Sequence, residues 1–216
     1  MSRPERKLQK KFVVFCEGDT EYNYIDKMRK QQDVQIALKP INMHGGGYTN
    51  FLKKIKTESQ TNCLAKFIIV DADRLMKHYE EKDSFLQLAE YCKLQNKKGV
   101  VPHFLIVNNP DFEYAACLHV PEYKGQDVPR FLQTILGFQS LEQFKKNTDV
   151  YGCLNSGERS YQILLERIKG KDKFIKNIYS VKKKNFEIII SRTDIIWELL
   201  NRKGSNLEEF FDIIEW

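Results

Sequence analysis

Short apolar runs alternate with segments of helical periodicity along the first half of the chain. Four continuous apolar runs, typical of strands buried on both faces, lie at residues 12–16, 34–38, 67–70 and 104–107. Amphipathic helices are predicted between them, from about residue 20, over 49–56 and over 84–94. Pro40 is expected to end the second strand. The alternation predicts an α/β core of about four parallel strands flanked by helices.

The pattern changes after Asn108, where helical periodicity dominates. Helices are predicted over residues 112–118, 128–136, 141–145, 160–168, 194–200 and 207–214, and a strand over 186–190. No linker rich in proline, glycine or serine separates the halves. We therefore expect a core domain over residues 1–120 and a mainly helical extension over 121–216 that packs on it.

Carboxylates directly follow two of the predicted strands. Glu17 and Glu21 flank the turn after the first strand, and Asp71 and Asp73 follow the third. Since the carboxyl ends of neighbouring parallel strands meet at one edge of a sheet, these side chains are expected to converge. Alternate residues leaving a strand point the same way, so Asp71 and Asp73 can address one site. Stabilisation of a helix N-terminus is the alternative, and it explains Glu21 better than Glu17.

A further carboxylate follows the fourth strand. Glu113, and with it Asp111, is expected at the same edge of the sheet, although Pro110 and Asp111 also suit an ordinary helix start. Clustered carboxylates repel one another, whereas a divalent cation offsets their charge and prefers oxygen ligands. The predicted ligands of Mg²⁺ or Mn²⁺, bound as two ions, are Glu17, Glu21, Asp71, Asp73 and Glu113.

These motifs resemble those of the Toprim nucleases, most closely the RloB-like family of bacterial phage defence, which is related to the OLD-type nucleases. The resemblance is carried by residues 16–21, 70–73 and 109–113 and covers roughly residues 11–120. It implies a Toprim catalytic core and metal-dependent hydrolysis of phosphodiester bonds, with Glu17 as general base or metal ligand and Asp71 and Asp73 as catalytic metal ligands. It also implies an anti-phage effector that works with an ATPase of the ABC or AAA type encoded nearby.

Basic residues supply the candidates for nucleic-acid contact. The net charge of +6 favours a polyanionic partner, although a solvated surface is the alternative for each basic run. The predicted nucleic-acid contacts are Arg74, Lys124, Lys182, Lys183 and Lys184. Lys182 is also the candidate catalytic residue that neutralises charge developing on the phosphate. Contacts to backbone phosphates leave the choice between DNA and tRNA or another RNA open.

The remaining features limit the class of protein. The five cysteines stand singly, no signal peptide is visible and no apolar run approaches the length of a membrane span, so a cytoplasmic protein is expected. Glycines at 45–47 predict a tight turn, with phosphate binding as the alternative. A topoisomerase would need a separate tyrosine domain and a primase a zinc module, for which the chain offers neither room nor cysteine spacing.

A nuclease is therefore the favoured function. The alternative is a catalytically silent protein that binds nucleic acid or another ligand and regulates the ATPase. Both functions are compatible with a homodimer.

Overall fold

The computed structural model describes residues 10–31, 37–78, 80–182 and 187–214. The elements of the first half are β1 (Lys11–Cys16), α1 (Asp19–Gln31), β2 (Ala37–Asn42), α2 (Gly47–Thr57), β3 (Cys63–Asp71), α3 (Asp73–Lys77), α4 (Glu81–Lys98), β4 (His103–Asn109) and α5 (Phe112–Cys117). Those of the second half are α6 (Val128–Leu136), α7 (Leu141–Lys145), α8 (Val150–Leu154), α9 (Tyr161–Ile168), β5 (Ile175–Lys182), β6 (Glu187–Ile195), a short 3₁₀ helix (Trp197–Leu199), β7 (Gly204–Ser205) and α10 (Glu208–Ile214).

Five strands form one sheet in the order β2-β1-β3-β4-β7. The first four run parallel, while β7 joins β4 in the antiparallel direction. Strands β5 and β6 form a separate antiparallel pair. The predicted core of four parallel strands alternating with helices is confirmed. The protein is a mixed α/β structure with a mostly parallel sheet flanked by helices.

Alternate residues of each parallel strand pack on opposite faces of the sheet. On one face, Phe12 and Val14 of β1 join a core that includes α1 and α10. On the other face, Val13 and Phe15 pack with α2 and α4. Because both faces are covered, these strands are continuous apolar runs rather than alternating ones. The C-terminal helix belongs to the same core, since Phe210 is fully buried in it.

The second strand differs from the prediction at its end. Part of the predicted strand, residues 34–36, lies outside the described residues, and β2 continues through Pro40 to Asn42. Pro40 pairs with Val14 in the parallel register instead of ending the strand. Strand β2 lies at the edge of the sheet, where the N–H that proline lacks is not required by a second neighbour.

The C-terminal half is not uniformly helical. The helix predicted over residues 194–200 is wrong, because the strand predicted at 186–190 continues to Ile195 and a 3₁₀ helix follows. Its partner β5 was not predicted. Asn177 of β5 explains the placement of the pair, because its Nδ2 donates to the backbone oxygen of Leu105 in β4 at 3.0 Å and to Glu209 Oε2 of α10 at 2.6 Å. Pairing across the chain therefore overrides the local helical pattern.

The other helices of this half, α6, α7, α9 and α10, lie where they were predicted, within one residue at each end. The division of the chain at residue 120 stays a prediction. Within the described ranges, the protein has no helix with the length and apolar character needed to cross a membrane.

Candidate active site at the carboxyl ends of the strands

Glu17 and Asp71 lie where the neighbouring strands β1 and β3 end. The parallel register brings Cys16 opposite Ile69, and Glu17 then reaches across to β3. The backbone N–H of Asp71 donates to Glu17 Oε2 at 2.8 Å. Asp71 is opposite Asn108 of β4, whose Nδ2 lies 3.4 Å from Asp71 Oδ1. Three strand ends therefore meet at one edge of the sheet, as parallel strands require.

Helices α1 and α5 add two buried carboxylates at this edge. Glu21 lies in the first turn of α1 and accepts a hydrogen bond from the Gly18 N–H at 3.3 Å. Glu113 lies in the first turn of α5, which Asp111 caps, and it accepts from the Thr20 hydroxyl at 3.2 Å. Both glutamates are only 3% exposed. The structure thus brings together carboxylates that are up to about ninety residues apart in the sequence.

Burial and mutual repulsion raise the pKa of these carboxyl groups. Burial, with added repulsion from Glu113 and Glu17, raises the pKa of Glu21 to about 8. Burial also raises the pKa of Asp71 well above its usual range, and the charges of Glu21, Glu17 and Glu113 add to the effect. The pKa values of Glu17 and Glu113 are raised chiefly by burial as well. The fully ionised cluster is therefore costly without a compensating cation.

Asp73 occupies a different position from the one that strand alternation suggested. Strand β3 ends at Asp71, and Asp73 begins helix α3, so the alternation argument does not apply. The Asp73 carboxylate forms an ion pair with Lys77 at 2.8 Å. Burial raises the pKa of Glu17 most, and the hydrogen bond from the Asp71 N–H lowers it. The negative charge of Asp73 makes a smaller contribution that raises it further. Asp73 therefore belongs to the cluster on the side of Glu17.

Lys145 is a basic residue of this site that the sequence did not single out. Its Nζ lies 3.3 Å from Glu113 Oε2. Burial lowers the pKa of Lys145, but the attraction of Glu113, Asp71 and Asp111 outweighs burial and raises the pKa overall. The sequence predicted helix α7, at whose end Lys145 lies. No local signal points to this lysine, because its contact with α5 depends on how distant helices pack.

The glycine loop packs against the same edge of the sheet. His44 and the glycines at 45–47 all have positive φ angles, between 51° and 92°, which glycine adopts readily. The N–H of Gly45 donates to the backbone oxygen of Glu17 at 2.8 Å, and the Tyr48 hydroxyl donates to that of Asp71 at 2.7 Å. The tight turn is confirmed, and it holds the two strand ends; phosphate contact by this loop stays a prediction.

Arg74 lies against the glycine loop and near the cluster. A Cβ added at Gly47 would meet Arg74 Nη2 at 3.2 Å. The guanidinium forms an ion pair with Glu81, and its charge lowers the pKa of Glu17, opposing the larger effect of burial. Arg74 therefore lies near the cluster with its charge partly neutralised by Glu81, and its predicted contact with nucleic acid stays a prediction.

The structure does not bring the other predicted basic residues to the cluster. Lys124 lies in an exposed loop after α5, where its backbone N–H donates to Gln126. Lys182 ends β5 and forms an ion pair with Glu187 at 3.0 Å.

Strand β5 runs past the beginning of β4 and so away from the carboxyl end of β4, as the ring contact of Tyr179 with Phe104 shows. Residues 183 and 184 lie outside the described residues, so their predicted contacts stay predictions.

The carboxylate oxygens are the type of ligand that Mg²⁺ and Mn²⁺ prefer, so the donor chemistry of the cluster fits such ions. In the described parts of the chain, however, no three His, Cys, Asp or Glu side chains are arranged so that they could hold a metal ion. Each carboxylate instead has a protein partner. Compared with known proteins, the chain matches no family model, no curated protein and no solved structure.

Proposed function

We propose that this protein is a metal-dependent nuclease that hydrolyses phosphodiester bonds of DNA or tRNA. The observation that carries the proposal is the convergence of Glu17, Glu21, Asp71 and Glu113, whose burial and charges raise their pKa values, at the carboxyl ends of the parallel strands. Buried carboxylates that repel one another are costly even with these partners, and function is a reason to retain them. The sequence motifs support a Toprim core of the RloB-like type, an anti-phage role and an ATPase partner.

The proposed ligands of two Mg²⁺ or Mn²⁺ ions are Glu17, Glu21, Asp71, Asp73 and Glu113. Such ions, if bound, would supply a Lewis acid that activates water for attack and stabilises the leaving oxygen of a phosphodiester. The protein supplies orientation, since the Asp71 N–H fixes Glu17 and the Thr20 hydroxyl fixes Glu113. Ionisation of Glu21 and Glu113 would be coupled to cation binding, because a bound cation would offset the burial and the repulsion that raise their pKa values.

Lys145 takes the role that the sequence assigned to Lys182. Its ammonium group contacts Glu113 and is half-exposed at the edge of the cluster, so it can reach a phosphate bound there. A positive charge at that place stabilises the negative charge that develops on the phosphate during hydrolysis. Arg74 provides a second positive charge, which lowers the pKa of Glu17 against the larger effect of burial.

Cleavage assays with purified protein test this function. Plasmid DNA, single-stranded DNA and total tRNA are each incubated with Mg²⁺, Mn²⁺ or EDTA. We expect metal-dependent cleavage of at least one substrate and its loss in Asp71→Asn, a change that retains the size of the side chain. Glu158→Gln, at an exposed position, is the matched control. Cleavage that persists in Asp71→Asn would contradict the proposal, because it would not arise from this cluster.

A second candidate function is a binding protein without catalytic activity that regulates an ATPase. The observation that favours it is that each carboxylate already has a partner in the protein, including Lys77 for Asp73 and Lys145 for Glu113. This candidate predicts nucleic-acid binding that weakens steeply with salt, with no product under either metal ion. A cleavage product that requires Asp71 would eliminate it.

A further inference from the structure

A small pocket at the same edge of the sheet is lined by four basic side chains and one acidic side chain. The basic side chains belong to Arg167, Lys171, Lys173 and Lys203, and the acidic one to Asp172. Tyr114, Gly204 and Ser205 complete most of the wall. The sequence places Lys171 and Lys173 in a basic run, for which a solvated surface is the alternative to a polyanionic partner, and it assigns no site to the other basic residues of the pocket. The pocket is therefore a separate concentration of positive charge.

Hydrogen bonds connect this pocket to the acidic cluster. The Ser205 hydroxyl donates to Asn108 Oδ1 at 2.9 Å, and Asn108 Nδ2 lies 3.4 Å from Asp71 Oδ1. Tyr114 follows Glu113 directly on α5, so one turn of helix contributes to both places. The pocket and the acidic cluster thus lie beside each other along the carboxyl end of β4.

The basic side chains differ in how far the protein neutralises them. Lys173 forms an ion pair with Glu208, so its charge is already compensated. Lys171 and Lys203 are exposed, and Lys203 Nζ lies 5.7 Å from the centre of the Tyr114 ring. Among the residues that the structure describes, no acidic side chain forms an ion pair with either lysine or with Arg167. Three positive charges of the pocket are thus not neutralised by ion pairs in the described part of the protein.

Arg167 adds a group that is suited to an oxygen ligand. Its Nη2 donates to the backbone oxygen of Pro121 at 2.8 Å, which fixes the guanidinium. Its Nη1 is buried and has no hydrogen-bond partner within the described part of the protein. A buried donor without a partner is unfavourable, and a phosphate oxygen is a strong acceptor for a guanidinium. The chemistry of the pocket therefore matches a phosphate group.

We propose that this pocket binds a backbone phosphate of the nucleic acid whose neighbouring phosphodiester lies at the acidic cluster. The inference rests on the proposed function for the identity of its ligand. Contacts of this kind position a strand without reading its sequence, so the pocket serves DNA and RNA alike. It fixes the strand beside the carboxylates, where net repulsion would otherwise oppose binding.

Binding measured in EDTA tests the pocket without requiring cleavage. Fluorescence anisotropy follows a short labelled single strand of DNA, and RNA of the same sequence, as the salt concentration is raised. Lys171→Ala combined with Lys203→Ala removes two predicted phosphate contacts. Since each contact on a single strand contributes about 0.7 to the slope of log affinity against log salt, we expect the slope to fall by about 1.4. The same relation predicts an affinity loss of roughly 25-fold at about 0.1 M salt.

The matched control is Lys97→Ala combined with Lys98→Ala, which removes the same charge from the exposed end of α4. That end contacts the beginning of β4, since Asn96 Oδ1 accepts from the His103 N–H at 2.7 Å. Equal losses in both double variants, or unchanged affinity in the first, would overturn the proposal. A second result would also overturn the proposal. In it, inorganic phosphate raises the melting temperature of the wild type but not of the Lys171→Ala, Lys203→Ala variant, while both proteins bind the labelled strand equally well.

The two proposals fail separately. If the wild-type protein cleaves and the Lys171→Ala, Lys203→Ala protein binds strands as tightly as wild type, the pocket is refuted and the nuclease stands. If no product forms with any metal while the double variant loses strand binding, the pocket stands and the nuclease is refuted. Unfolding curves of both double variants establish that the fold is retained.

Discussion

Replacement of Glu21 by glutamine measures how much the burial and repulsion of this carboxylate destabilise the folded protein. Burial and repulsion move the pKa of Glu21 from an ordinary value of 4.5 to about 8. Each pKa unit corresponds to about 1.4 kcal/mol, so ionisation of this group in the unfolded chain lowers the free energy of unfolding at pH 7 by on the order of 3 kcal/mol. Glutamine removes this cost and keeps an oxygen that accepts from the Gly18 N–H.

The sign of the pH dependence follows from the raised pKa. Above pH 4.5 the native state holds a proton at Glu21 that the unfolded chain has released, so the stability of the wild type falls as the pH rises towards 8. We expect Glu21→Gln to be more stable than wild type in EDTA, by a margin that grows between about pH 5 and pH 8. Urea unfolding at both pH values measures this margin.

The same substitution has the opposite effect when cations are present. Mn²⁺ should stabilise the wild type, because a ligand that binds the native state raises its stability, and it should stabilise Glu21→Gln less. The exposed Glu158→Gln variant should match wild type in both experiments. A Glu21→Gln protein that is less stable than wild type in EDTA at pH 8 would refute the electrostatic reasoning, since it would mean that the ionised group is well solvated or paired.

Three further perturbations test other parts of the structure. Lys145→Ala should reduce the cleavage rate by roughly 10²-fold, because Lys145 contacts Glu113 and stabilises the negative charge that develops on the phosphate. Lys146→Ala, at the exposed neighbouring position, should leave the rate unchanged. Initial rates with Mn²⁺ measure both effects. Gly46→Ala should cost about 1–2 kcal/mol in urea unfolding, since φ is 92° at this position, a conformation that an L side chain rarely adopts. Tyr24→Phe should lower the free energy of unfolding in urea by about 1–3 kcal/mol, because it removes the 2.9 Å hydrogen bond to the buried His119. An unchanged unfolding midpoint would show that this histidine needs no such partner.

The sequence predicts the parallel core and the acidic cluster for the same reason. A strand with both faces covered must be apolar at every position, which makes the runs ending at Cys16 and Asp71 visible without a structure. Carboxylates that immediately follow such runs can only lie at the carboxyl edge of the sheet. This reasoning predicts Glu17 and Asp71 as neighbours, and Glu113 joins them from the first turn of the helix that follows β4.

Edge elements were less predictable, because their local patterns are ambiguous. Strand β2 passes through Pro40, which only an edge position tolerates, and an edge position is a property of the sheet. The segment at 194–200 has a helical pattern, yet Ile195 pairs with Ile175 of β5. Pairing energy between distant segments decided both cases, and a single-sequence pattern does not contain it.

What the sequence determined by itself is the order of parallel strands and helices and the position of the carboxylates at the strand ends, since both follow from local burial and from the direction of the chain. What only the tertiary structure decided is which positive charges accompany them. Lys145 comes to Glu113 through packing of α7, and Arg167 of α9 lines the same pocket as Lys203, which directly precedes β7. Lysine and arginine side chains are long and mostly exposed, so the local sequence does not show which acidic group they contact. Only the distances in the folded chain decide this.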